Sequence, residues 1–93
     1  MVGALNNKTI MENIKKQING IVKYESSDLE SLKKEYQELS LRINEGLSRM
    51  KAATVFTEAE IKEAGEYAKQ LLVTKFDNAK QNIVNSIRES FEF

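Results

Sequence analysis

Two hydrophobic periods meet in this 93-residue chain. Between residues 28 and 54, Leu29, Leu32, Tyr36, Leu39, Ile43, Gly46, Met50 and Ala53 recur in strict 3,4 spacing, a heptad seam on one face of a helix. From residue 58 onward the repeat is eleven: Ile61, Gly65, Ala68, then Leu72, Phe76, Ala79, then Ile83, Ile87, Ser90. A heptad favours a left-handed supercoil, whereas an eleven-residue repeat runs straight or slightly right-handed. The two stripes cannot follow one long coiled coil in register. The expectation is therefore all-α: a three-helix bundle or a long helical hairpin, associating through its third helix.

The helix ends carry their own signals. Thr9 to Glu12, Ser27 to Glu30 and Thr57 to Glu60 each match a capping box, in which a hydroxyl and a carboxylate satisfy the free N–H groups of a starting helix. Acids cluster early and cations late in the segments that follow, as the helix dipole favours. Acid-then-base pairs at i,i+4 recur at Glu12/Lys16, Glu30/Lys34, Glu38/Arg42, Glu45/Arg49 and Glu58/Lys62. These signals predict one helical domain over 1–93, with residues 1–8 frayed and helices over about 10–24, 28–54 and 58–91. The chain has no Pro, so the junction at Glu25-Ser26-Ser27 is free to run through as a single long helix. The stretch Thr54-Val55-Phe56-Thr57, β-branched and aromatic ahead of a cap, predicts a reversal.

Gly46 costs about 1 kcal/mol relative to Ala in a helix interior, and its place on the seam predicts a hole for a large side chain, such as an aromatic from the third helix. Helix lengths point outward as well. At 1.5 Å per residue the third helix is expected to be about 50 Å long against about 40 Å for the second. Its last turns, with Ile83, Ile87, Phe91 and Phe93, then project past an antiparallel partner. A second copy or another protein is expected to cover them, with Tyr67, Leu72, Phe76, Ile83, Ile87 and Phe91 as the protein-interaction residues and helix-in-groove burial as the mechanism. Tyr24 and Tyr36 read as half-buried packing residues. An ordinary monomeric bundle with a loose third-helix tail is the plainer alternative.

Composition excludes more than it identifies. There is no His, Cys or Trp, which removes thiolate nucleophiles, disulfides, His-based triads and Cys/His zinc sites. Fourteen cations balance 14 acids, without the basic excess that phosphate binding needs, so no nucleic-acid partner is expected. The balance drifts from a mildly basic first helix to a mildly acidic third. Lys8, Lys15, Lys16 and Lys23 around Ile10, Ile14 and Ile18 fit a membrane-surface helix, but the same stripe is needed to complete a bundle. No apolar run approaches the roughly 18 residues of a membrane span, and no signal-peptide h-region opens the chain. A cytoplasmic location is expected, with leaderless export also compatible.

Carboxylate pairs are the sole enzymatic lead. Glu35-x-x-Glu38 and Glu60-x-x-Glu63, on successive helices, resemble the Mg²⁺-holding Glu-x-x-Glu and Glu-x-x-Asp pairs of the all-α NTP pyrophosphohydrolases. The resemblance implies a small Mg²⁺-dependent nucleotide pyrophosphohydrolase. Here the second pair has no Asp, no matching basic cluster follows, and each Glu sits on the flank of an apolar stripe. Length and a central reversal are similar to the small secreted helical hairpins with a Trp-X-Gly turn, but there is no Trp and Gly46 is not at the reversal. A weak DNA-binding regulator is a further alternative, though no tight turn precedes a basic recognition helix. The favoured reading is a non-enzymatic interaction module, self-assembling or partner-binding in the manner of an adaptor, secretion chaperone, immunity protein or antitoxin. It needs no cofactor, metal or small-molecule substrate.

Overall fold

A computed structural model describes the backbone of residues 2–90 and the side-chain environments of residues 8–90. Three helices form, α1 over Val2–Ile21, α2 over Leu29–Ala53 and α3 over Glu58–Ser90, with no strand among the described residues. The all-α three-helix expectation holds. α3 is the central element: α1 and α2 both pack along it and scarcely touch each other.

Side-chain contacts fix the directions. The Tyr36 and Phe76 rings meet edge-on with centroids 5.3 Å apart, and Leu47 Cδ1 lies 3.5 Å from where a Cβ on Gly65 would sit. α2 therefore runs antiparallel to α3. Lys15 pairs with Glu63 at 3.4 Å, the Asn19 amide donates to the Tyr67 hydroxyl at 2.9 Å, and Lys75 donates to the Val22 carbonyl at 2.9 Å. α1 therefore runs parallel to α3, and the order is up, down, up. Lys15 of the mildly basic first helix thus meets Glu63 of the mildly acidic third.

The core collects Ile18 and Val22 from the first segment, Leu39 and Ile43 from α2, and Ala64, Ala68 and Leu72 from α3. Leu32 and Ile83 are buried further along. Ala64 lies outside the eleven-residue stripe yet is fully buried, because α3 must face two helices at once and needs a wider apolar face than a single seam. The molecule measures 64 × 23 × 16 Å with a radius of gyration of 16.8 Å, against about 12 Å for a compact chain of this length. It is a slender rod. The α2–α3 register places Leu29 level with Ile83, so residues 84–90 of α3 extend about 10 Å past the start of α2.

Several expectations are corrected. α1 starts at Val2, well ahead of residue 10: no Pro interrupts this stretch, and Ala4 and Leu5 are good helix formers. Thr9 thus lies inside a helix and not at its start. α1 stops at Ile21, short of residue 24, and the chain crosses to α2 through non-helical backbone over residues 22–28. The junction does not run through. α2 is capped by Asp28 one residue beyond Ser27, its carboxylate accepting from Ser31 N at 2.8 Å and Ser31 Oγ at 2.9 Å. An ionised Asp matches the helix N-terminus better than a hydroxyl.

The Thr57/Glu60 box forms in full, with Glu60 N donating to Thr57 Oγ1 at 3.1 Å and Thr57 N donating to Glu60 Oε1 at 2.8 Å. The reversal is made by Thr54, the one described non-glycine residue with positive φ, at 58°. Its hydroxyl donates to the Ala53 carbonyl at 2.7 Å, partly offsetting the left-handed conformation that β-branching disfavours. None of the five i,i+4 acid–base pairs closes to a salt bridge, and Lys15–Glu63 is the only one among the described residues. Exposed pairs gain too little to overcome side-chain entropy.

Candidate functional site: an apolar cleft between the first and second helices

The segment joining α1 to α2 is pinned at both ends by charged side chains. Lys75 Nζ, reaching out from α3, donates to the Val22 carbonyl at 2.9 Å, to Asn19 Oδ1 at 2.9 Å and to the Asn19 carbonyl at 3.3 Å. A cation thereby caps the carbonyl end of α1, where the dipole favours it. On the α2 side, the Glu35 carboxylate accepts from Glu25 N, Ser26 N and Ser26 Oγ. Burial works against ionisation of Glu35, but these three donors outweigh it and hold the carboxyl below its ordinary range. Val22 between the two anchors is fully buried.

Tyr24, Tyr36 and Phe76 form the aromatic fastening of this segment. The Tyr24 and Phe76 rings meet edge-on at 5.9 Å, and the Tyr24 hydroxyl donates to the Leu72 carbonyl at 3.0 Å. Burial, then the neighbouring Tyr36 and Glu35, push the Tyr24 hydroxyl up to about 12. A raised value for an acid means that the folded state favours the neutral form. Its contribution to stability is whole below the unfolded value near 10 and is lost as pH rises toward 12. In an absorbance titration of tyrosinate, a step near pH 12 is expected, and Tyr24→Phe is expected to remove it. A titration without that step, or one left unchanged by Tyr24→Phe, would contradict this.

Pinning α1 to α3 in this way leaves a gap between α1 and α2. Ile14, Ile18 and Ile21 line one wall, Gly46, Leu47 and Met50 the other, and Phe56 from the reversal closes one end, around a cleft of about 180 Å³. Arg42, at the opposite end from Phe56, is the single charged residue lining it. Ile21 is 40% exposed here. A Cβ on Gly46 would meet nothing within 4 Å. The expected hole over Gly46 exists, but no aromatic of α3 fills it: Phe76 packs on Tyr24 and Tyr36, and Gly46 opens into the cleft. A larger and more open apolar groove, of about 400 Å³, lies between α2 and α3, lined by Tyr36, Val73 and Phe76 beside Lys33 and Gln37.

The residues singled out from the sequence fall into different environments. Leu72 and Ile83 are buried inside the chain itself and present no free surface. Phe76 is half-buried with one side on the second groove. Tyr67 is half-buried under Lys15, whose Nζ lies 5.6 Å from its ring centroid. Ile87, on the projecting end of α3, is 48% exposed, and Phe91 lies outside the described residues. The cleft residues of α1, together with Met50 and Phe56, were not among the interaction residues expected from the sequence; the one sequence signal for the cleft was a glycine on an otherwise apolar seam.

The carboxylate pairs do not converge. Antiparallel packing puts Glu35 level with the middle of α3 and Glu60 at its start, about 25 Å apart along the axis, too far to share an ion. Glu35 is engaged with the α1–α2 segment, Glu60 with the Thr57 cap and Glu63 with Lys15. No cluster of three or more metal-ligating side chains occurs among the described residues, and no described helix is long and apolar enough to cross a membrane. No protein-family model matches the chain, and comparison with curated proteins and with solved structures gives no match either.

Proposed function

We propose that this chain is a non-enzymatic interaction module that buries the α1/α2 cleft against a helix of another protein molecule. The observation that carries the reading is the cleft itself. Isoleucine, leucine and methionine dominate its walls, which also include Gln17 and Arg42, and a helix-interior glycine stands over empty space. That glycine lowers helix stability by about 1 kcal/mol while giving an incoming backbone room to approach. Such a concave, apolar, glycine-floored surface accepts an amphipathic helix through anchors spaced i, i+3, i+4 and i+7. The exposed Ile87 at the end of α3 is a second apolar surface available to a partner.

The chain contains no cysteine, so Gln17→Cys and Glu66→Cys each carry a single thiol for a photo-activated benzophenone label, one at an exposed position bordering the cleft and one on the outer face of α3. Protein adducts formed in the producing cells, whether with a second copy or with another chain, are expected from position 17 and not from position 66. Equal or absent adducts at the two positions would remove the reading.

A further inference from the structure

Neither Pro nor Gly makes the break between α1 and α2, since residues 22–28 contain neither. A helix running through them needs each N–H to meet the carbonyl four residues earlier. Three side chains occupy those groups instead. Lys75 of α3 takes the carbonyls of Asn19 and Val22, which a continuous helix assigns to the N–H groups of Lys23 and Ser26. Glu35 of α2 takes the N–H groups of Glu25 and Ser26, and Asp28 takes that of Ser31. The Ser26–Val22 bond is thus blocked at both ends, its donor by a carboxylate and its acceptor by an ammonium.

We infer that residues 22–28 are a conformational switch: Lys75 and Glu35 hold them out of helix, and on release they join α1 to α2 as one helix and lift α1 off α3. The inference is independent of the cleft reading. Lys75 reaches Asn19 and Val22 only while α1 lies on α3, so docking and the break are one event. α1 runs parallel to α3 and α2 antiparallel to it; a continuous helix therefore points α1 past the start of α2 and cannot leave it on α3. The vacated face carries Ala64, Ala68 and Leu72. Its chemistry states what competes for it: an amphipathic helix with apolar side chains where Ile18 and Val22 now pack, a cation for Glu63 and an amide for the Tyr67 hydroxyl. Docked α1 shields that face from such a helix, an autoinhibitory contact.

The test is a distance measurement on the full chain. Lys8→Cys/Lys51→Cys places two thiols at exposed positions of a chain that has no other, for spin labels read by pulsed dipolar spectroscopy. With α1 and α2 each packed on α3, their axes lie within about 20 Å of each other. A continuous helix puts residues 8 and 51 about 65 Å apart. Glu35→Met/Lys75→Met removes both latches while keeping side-chain length, and Glu38→Met/Lys80→Met makes the same changes at exposed positions of the same two helices. Wild type and this control are expected to give one short distance. The latch-free variant is expected to add a population near 65 Å, with a far-ultraviolet helix signal higher by roughly a tenth as residues 22–28 become helical.

A synthetic peptide of residues 2–24, competing for α3, is expected to raise the long population in the variant at about tenfold lower concentration than in wild type, where tethered α1 acts at an effective concentration in the millimolar range. A short distance alone in the latch-free variant overturns the switch. So does a broad spread of intermediate distances without gain of helix, because α1 then detaches over a flexible joint. An equal long population in the control shows that Lys75 and Glu35 are not the latches, and a peptide without effect on either chain overturns the shielded face. If the double variant melts without a cooperative transition, Glu35→Met alone is read in the same way.

Discussion

Leu72→Ala is expected to destabilise the monomer by about 3 kcal/mol, read as a lowered urea midpoint, while Ile87→Ala changes it by less than about 0.5 kcal/mol. Both residues lie on the same eleven-residue stripe, and the sequence treats them as equivalent anchors. Leu72 is 4% exposed and packed in the core with Ala68, Ile18 and Val22, whereas Ile87 is 48% exposed beyond the start of α2. Truncating Leu72 removes its transfer free energy and leaves a cavity between helices held apart by other contacts. For a chain of 93 residues the total stability is on the order of 5–14 kcal/mol, so the loss is a substantial fraction of it. Equal effects at the two positions would mean that α1 and α2 do not pack on α3 as described.

Lys75→Met is expected to cost about 2 kcal/mol and to act locally before it acts globally. Methionine keeps the length and apolar stem of the side chain but removes the charge that caps Asn19 and Val22. Two carbonyls at the end of α1 then lose a charge-assisted donor, and the buried Val22 loses the anchor beside it. Amide hydrogen exchange is the sharper measurement: protection over residues 18–26 is expected to fall well before that of α2 and the middle of α3. Lys80→Met, at an exposed position on the same helix, provides the control and is expected to leave those amides unchanged. An identical exchange profile in the two variants would show that Glu35 and the contacts of Tyr24 hold the segment without Lys75.

Much of the architecture is legible in the residues alone. The heptad seam delivers Leu32, Leu39 and Ile43 to the interior, and the eleven-residue stripe delivers Ala68, Leu72 and Ile83. The reversal at Thr54–Thr57 and its capping box stand where the residues predict them. The misread positions share a cause, which is that a local motif competes with neighbours of equal or greater strength. The cap expected at Ser27 falls one residue later because Asp28 is the stronger cap, and the box at Thr9 does not open a helix because nothing upstream forbids one. Glu35 reads as half of a metal-binding pair, yet it holds the backbone of Glu25 and Ser26, about ten residues away in sequence and unrecognisable from spacing on one helix.

The candidate site is legible only as an anomaly. Gly46 on an apolar seam announces empty space, but not which neighbour borders it. Lys75, Asn19 and Tyr67, which set the position of α1 on α3, carry no motif, since a single lysine or asparagine on a helix surface is indistinguishable from a solvated residue until its partner is known.

What the sequence determined alone was every property that depends on neighbours within about a turn or two along the chain: helical periodicity, the faces that must be buried, the caps and the reversal. What the tertiary structure decided was how far apart those faces stand. Two helices can share one central helix and touch each other fully or hardly at all with the same stripe of apolar residues, because burial against the centre satisfies most of the hydrophobic demand in either case. Here the contacts of Lys15, Asn19 and Lys75 tie α1 to α3, and the cleft over Gly46 is the space that this arrangement leaves between α1 and α2.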